Sequence, residues 1–161
     1  MDELRMQFMG TGAGEGIPTP FCRCRICEHA RKTGGKDVRL RSSFRVSDEM
    51  MIDFGTDIFA LDTGFYGEET RSFLKDAALD YLIIESTFGS ADRGNKPYSH
   101  LDLNSVFYLC DVLYQQGTLT DRTQVYLTHI NQEQDFIHEE MVAECEKRKT
   151  PYKVTVAYDG L

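Results

Sequence analysis

At 161 residues, with 41% hydrophobic and 27% charged residues, the sequence has the length and make-up of one soluble globular domain, which excludes disordered and fibrous classes. No apolar run is long enough to cross a membrane, and the opening MDELRMQFMG carries an early acidic pair and no apolar core, so a cytoplasmic protein is the expectation. The formal net charge of −8 argues against a broad grip on nucleic acid, whose phosphates are held chiefly by clustered Lys and Arg.

In chain order, Met6 to Met9 reads as a short strand that enters a glycine-rich turn running from Gly10 to Gly16, where bare backbone can approach a ligand or metal. Pro18 and Pro20 exclude helix, and the cysteine-rich loop Cys22-Arg23-Cys24-Arg25-Ile26-Cys27 leads into a short basic helix from about Glu28 to Lys32. Ser43 to Val46 and Met50 to Phe54 predict an antiparallel hairpin turning at Ser47-Asp48-Glu49. From Phe59 the pattern alternates: a strand at Phe59 to Leu61, a helix near Glu68 to Ala78, then a buried strand at Tyr81 to Ile84. The clearest helix follows His100, with Leu103, Val106, Phe107, Cys110, Leu113 and Tyr114 at three- and four-residue steps, Asp102 as its N-cap and Gly117 as its stop. A strand at Gln124 to Thr128, a helix from about Asp135 to Lys149 and a strand at Tyr152 to Ala157 complete the chain. Strands first and strand-helix alternation afterwards indicate a mixed α/β sandwich with helices outside.

Three of the five cysteines crowd into Cys22, Cys24 and Cys27. On a proline-flanked loop in a reducing compartment, that spacing favours a shared metal over disulfides, and zinc is the ion that three thiolates suit. The interleaved arginines would favour the thiolate form. A fourth ligand has to come from elsewhere; His29 is close in sequence for that role, and His138 on the last helix is a candidate. The basic strip Arg23, Arg25, Arg31, Lys32, Lys36, Arg39, Arg41 and Arg45 reads most simply as a solvated loop. Three further segments place chemistry-bearing groups at element ends: Asp62-Thr63-Gly64 after a strand, Leu127-Thr128-His129 after another, and His100 beside Ser99 and Asp102 before the best helix.

Taken together and in order, these segments, with Ile52-Asp53-Phe54-Gly55, Ile84-Glu85-Ser86-Thr87-Phe88 and Val156-Ala157-Tyr158-Asp159-Gly160, resemble the metallo-β-lactamase-fold phosphodiesterases of the PhnP type. More distantly, the order resembles tRNase Z. The resemblance implies an αββα sandwich forming a single domain over 1–161, and hydrolysis of cyclic or other small phosphodiesters by metal-bound hydroxide. Asp62 is then similar to the carboxylate bridging two catalytic ions, zinc or manganese, and His129 to a ligand of the second ion. His100 is similar to a histidine beside the phosphate that acts as general acid, with Asp53 and Glu85 as supports. Cys22, Cys24 and Cys27 resemble that family's structural zinc site.

The sequence departs from the family in two places. The signature His-x-His-x-Asp-His is absent: the chain has only His29, His100, His129 and His138, and the direct run from Gly55 to Leu61 implies a domain internally shortened between about 55 and 61. Gln132 stands where the resemblance places a histidine of the structural zinc site. Efficient hydrolysis is therefore not expected of the chain, and two other readings stand beside the hydrolase: a non-catalytic zinc-stabilised binding domain and an RNA-processing nuclease, the latter disfavoured by the negative charge. Shortening inside a sandwich would also expose strand edges such as Tyr81 to Ile84, which favours a homo-oligomer.

Overall fold

The computed structural model describes residues 7–45, 51–53 and 64–161. Its elements are β1 (Gln7–Gly10), α1 (Arg25–Thr33), β2 (Ser43–Arg45), β3 (Met51–Asp53), α2 (Glu68–Phe73), β4 (Tyr81–Glu85), α3 (Leu103–Gln115), β5 (Gln124–Thr128), α4 (His138–Glu146) and β6 (Lys153–Val156). The expected turn Ser47-Asp48-Glu49, the strand Phe59 to Leu61, the shortened segment and Asp62 lie outside the described residues.

Two three-stranded sheets form, an antiparallel one in the order β1-β2-β3 and a parallel one in the order β4-β5-β6. Period-2 alternation decides how they pack. Leu82 and Ile84 of β4 and Val125 and Leu127 of β5 point into a core with Ile26 and Ala30 of α1, Val106, Leu109 and Leu113 of α3, and Met141 of α4. The intervening Ile83 and Tyr126 face the other way and meet Phe8 and Phe44 of the first sheet, with ring centroids 5.5 Å apart for Phe8 and Tyr126. The layers are thus helices, parallel sheet, antiparallel sheet. Gln7, Met9 and Arg45 leave the outer face of the first sheet exposed, and the second helical layer of the expected αββα sandwich is not found among the described residues.

Helix α3 follows its sequence signals closely. The Asp102 carboxylate accepts the Ser105 amide at 2.9 Å, and the Ser105 hydroxyl accepts the Asp102 amide at 3.0 Å, so two otherwise orphaned donors are satisfied at the start. Gly117 ends it at φ 79°. Two other helices are shorter than their patterns suggest. Helix α2 buries no side chain and stops before Asp76 and Ala78, which adopt left-handed φ of 59° and 48° while their amides bond to the carbonyls of Gln116 and Gly117 beyond α3. Helix α4 starts at His138 rather than Asp135, because Asp135 is left-handed and Glu140 accepts the Ile137 amide. Helix α1 starts three residues earlier than expected, at Arg25, and so carries Cys27.

The glycine turn brings backbone against backbone rather than against a ligand. A Cβ on Gly10 would sit 1.9 Å from the Arg41 carbonyl oxygen. The turn then ties the sheets together, since Gly12 bridges both Arg41 and Ile130.

Behind this turn lies a buried polar network that takes Arg39 out of the basic strip, whose other seven members are exposed as the solvated reading expects. Arg39 is 4% exposed, and its guanidinium donates to Thr11 Oγ1 (2.9 Å), to the Ala157 carbonyl (2.6 Å) and to His138 Nδ1 (3.1 Å). Asp37 accepts the His138 amide at 2.7 Å and meets His29 Nε2 at 3.2 Å; Asp159 accepts Thr11 Oγ1 at 2.8 Å and the Leu40 amide at 2.6 Å. Burial pushes Arg39 down to about 10, with Asp159 and Asp37 opposing, so it stays charged at neutral pH. Elsewhere in the strip, Arg25 forms a two-pronged pair with Glu140, and Arg31 binds the carbonyls of Cys22 and Thr19.

Burial, then Arg39 and Lys36, lower His138 from 6.5 to about 4, against weaker opposition from Glu139 and Asp37. The unfolded chain therefore takes up this proton first, and stability that is complete above pH 6.5 is lost as the pH falls toward 4. Urea denaturation of the native chain is expected to show a loss of about 2 kcal/mol between about pH 7 and about pH 5 from this group. His138→Gln, which keeps an acceptor for Arg39, should flatten that dependence; equal slopes in the two proteins would contradict the assignment.

Candidate functional site

Cys22, Cys24 and Cys27 converge as their spacing predicts, with ligand atoms all within 4.8 Å of one another. The local fold accounts for this. Cys24 is the N-cap of α1, its sulfur accepting the Cys27 amide at 3.5 Å, so one helical turn places Cys27 beside it. The Cys27 sulfur also accepts the Thr19 amide at 3.4 Å, and Arg31 holds the loop that carries Cys22. The arginines matter less to the thiols than the spacing suggests. A hydrogen bond from the Cys24 backbone is the main cause that lowers Cys22, with Arg31 a minor one, whereas burial pushes Cys27 up to about 11.

Among the described residues no histidine, aspartate or glutamate completes this group. His138, the sequence candidate, is committed to the buried network through Nδ1, and His29 is turned to Asp37. The short helical turn Gln132–Gln134 packs on α1, so the segment that bears Gln132 does lie beside the helix of Cys27.

The second constellation gathers where β4 and β5 end side by side, Glu85 pairing with Thr128, and crevices at the C-terminal ends of parallel strands are where ligands bind in such sheets. Glu85 is fully buried, and a buried carboxylate has to be matched by donors. Its Oε1 accepts the Gly64 amide at 3.0 Å; its Oε2 accepts Thr87 Oγ1 at 2.5 Å and faces His100 Nδ1 at 3.1 Å. The contact holds the His100 ring through Nδ1, so that Nε2 points away from Glu85. His129 is oriented in the same manner. Ser42 Oγ gives its proton to the Gly12 carbonyl at 2.8 Å and so accepts from His129 Nδ1 at 3.3 Å, which makes Nε2 the nitrogen that carries the lone pair.

The two imidazoles stack with centroids 6.1 Å apart and an interplanar angle of 15°, and Phe88 meets the edge of His100. Both histidines adopt left-handed backbone, φ 47° at His100 and 55° at His129, a conformation that non-glycine residues hold only when their surroundings fix it. Gly64 closes the arrangement. At φ 61°, a Cβ there would lie 2.4 Å from the Tyr98 carbonyl oxygen, so the end of the Asp-Thr-Gly segment is pressed against the loop leading to His100.

The site residues expected from sequence thus fall into two groups, the cysteines on one side and His100 with His129 and Glu85 on the other; Asp62 is outside the described residues, as is the side chain of Asp53. Ser42, Thr87 and the Arg39 network escaped sequence reasoning. A serine and a threonine near glycines carry no spacing signal, and Arg39 is hidden among seven other basic residues.

No protein-family model matches the chain, and no curated protein does. Two solved structures are similar to it along nearly their whole length. A new diphosphatase from the PhnP family aligns over 97% of this chain and 95% of its own, with TM-score 0.60 and 15% identity. Zn(2+)-bound PqqB from Methylobacterium extorquens aligns over 97% of this chain and 98% of its own, with TM-score 0.60 and 14% identity. At such identities the likeness establishes the architecture, which is the metallo-β-lactamase fold that the motif order suggested.

Proposed function

We propose that the chain is a metal-dependent hydrolase domain of the metallo-β-lactamase superfamily, acting on small phosphodiesters, with a structural zinc on Cys22, Cys24 and Cys27 and a reduced catalytic donor set. The observation that carries the reading is the constellation of the buried Glu85 with the half-buried His100 and His129 at the ends of β4 and β5, each ring held through Nδ1. That one structural neighbour is a diphosphatase from the PhnP family agrees with phosphoryl chemistry.

His129 and Asp62 supply donors for one weakly held ion, zinc or manganese, and not for the pair that a two-metal hydrolase uses. Bound there, such an ion supplies a hydroxide at neutral pH and a counter-charge for a phosphoryl oxygen. In this reading His100, held by Glu85, passes a proton to the departing oxygen from Nε2. Glu85 itself does not reach substrate, being wholly buried.

Hydrolysis of a chromogenic phosphodiester by the purified chain should be slow and should rise steadily as zinc or manganese is added in excess. Asp62→Ala should abolish it, and His100→Ala should lower it by about 10²-fold or more at saturating metal. Rapid turnover at stoichiometric metal would contradict the reduced donor set, and no turnover at any metal concentration would leave the zinc-stabilised binding domain as the reading.

Metal analysis after dialysis is expected to give about one zinc per chain, the number a single thiolate site holds. Cys24→Ser should lose it together with thermal stability, because Cys24 is both ligand and helix cap. Gln132→His should retain zinc against a chelator better than the native chain. Three zinc ions per native chain, or unchanged zinc in Cys24→Ser, would overturn these assignments.

A further inference from the structure

Beside the Glu85–His100 pair opens a cleft of about 680 Å³ whose walls are the segments following Gly64 and preceding His100, with Phe65, Arg71, Lys96, Tyr98 and Ser99 among its lining residues. Its make-up is unusual for so acidic a chain. The Arg71 guanidinium and the Lys96 ammonium each lie 5.6 Å from the centroid of the same ring, Phe65, and among the described residues neither is paired with a carboxylate, although the sequence holds 26 Asp and Glu. Arg71 is steadied by donating Nε to the Tyr66 carbonyl at 3.0 Å, and Phe65 is held by stacking on Tyr108 at 5.7 Å. Contact with a ring face leaves a cation's charge uncancelled, so both remain available to an anion that enters the cleft. At the mouth, Tyr98 is 99% exposed, an aromatic surface that none of the described residues covers.

We propose that this cleft is the recognition subsite for the leaving group of the substrate, and that it selects a planar aromatic group attached to an anion, the anion held by Arg71 and Lys96 and the ring stacked on Tyr98. The inference rests on the hydrolase reading for its word "leaving group", but the binding it describes needs no turnover. Connectivity supports the assignment. Gly64 donates to Glu85 and is followed by Phe65, while Tyr98 and Ser99 run directly into His100, so the cleft and the proton donor are built from the same two stretches of chain.

Calorimetric titration of the zinc-loaded chain with phenylphosphonate and with methylphosphonate tests this, because the two carry the same anion and differ in the ring. Phenylphosphonate is expected to bind more tightly; Lys96→Gln and Arg71→Gln should each weaken both ligands by about tenfold, and Tyr98→Ala should weaken phenylphosphonate by about fivefold, to near the methylphosphonate level. Lys96 is exposed and Tyr98 projects to solvent, so these two variants should keep the native melting temperature, which guards against misfolding as an explanation. Equal affinity for the two phosphonates, or native affinity in both cation variants, would overturn the proposal. Hydrolysis that fails while this discrimination persists would remove the catalytic reading and leave the subsite standing; hydrolysis that persists without discrimination would do the reverse.

Discussion

A guanidinium taken out of water has to be met by acceptors, and the way Arg39 is met organises the whole site. Its partners come from three separate stretches of chain: Thr11 after β1, His138 at the start of α4, and Ala157 after β6. Removing one partner of a buried charge costs about 3–5 kcal/mol, far more than a surface contact, so these stretches are bound to move together or not at all. Thr11 in turn accepts the Ile130 amide through its carbonyl, and Ala13 donates to the Ile130 carbonyl. Those two bonds fix the backbone on either side of Gly12, whose carbonyl anchors Ser42, which orients His129. The left-handed His129 is held in place by a chain of contacts that starts from Arg39.

Glu85 does for His100 what Ser42 does for His129, but with a charge. Buried beyond reach of solvent, it is matched by an amide, a hydroxyl and an imidazole, so that each of its neighbours is constrained by the need to keep it satisfied. Because the amide belongs to Gly64, the carboxylate also fixes where the Asp-Thr-Gly segment ends and where the aromatic and cationic cleft begins. His100 and the wall of the cleft are coupled through one group.

The sequence revealed those features whose signal is local. The Cys22, Cys24 and Cys27 spacing, the Asp102 cap with the apolar stripe of α3, and the strands β4 and β5 could all be read, since each depends on residues a few positions apart. Helix α2 was overestimated because its apparent stripe has no core to face, and α4 because a left-handed Asp135 is not visible in composition. The buried Arg39 was unreadable for a stronger reason: its acceptors lie 28, 99 and 118 residues away, and an arginine acquires a buried role only once the chain has folded around it. The importance of His100 and His129 came from motif order, and their tautomers came only from the partners that folding supplied.

The contrast between orientation and ligand supply is the feature that most shapes the chemistry. Both imidazoles are held through Nδ1 by side chains of the fold, Glu85 and Ser42. The sequence lacks a His-x-His-x-Asp-His segment, and the groups that orient the two rings lie elsewhere in the chain. The cysteine cluster is built by backbone instead: one helical turn sets Cys27 beside the cap residue Cys24, Arg31 holds the loop that brings Cys22 to them, and burial pushes the Cys27 thiol up to about 11.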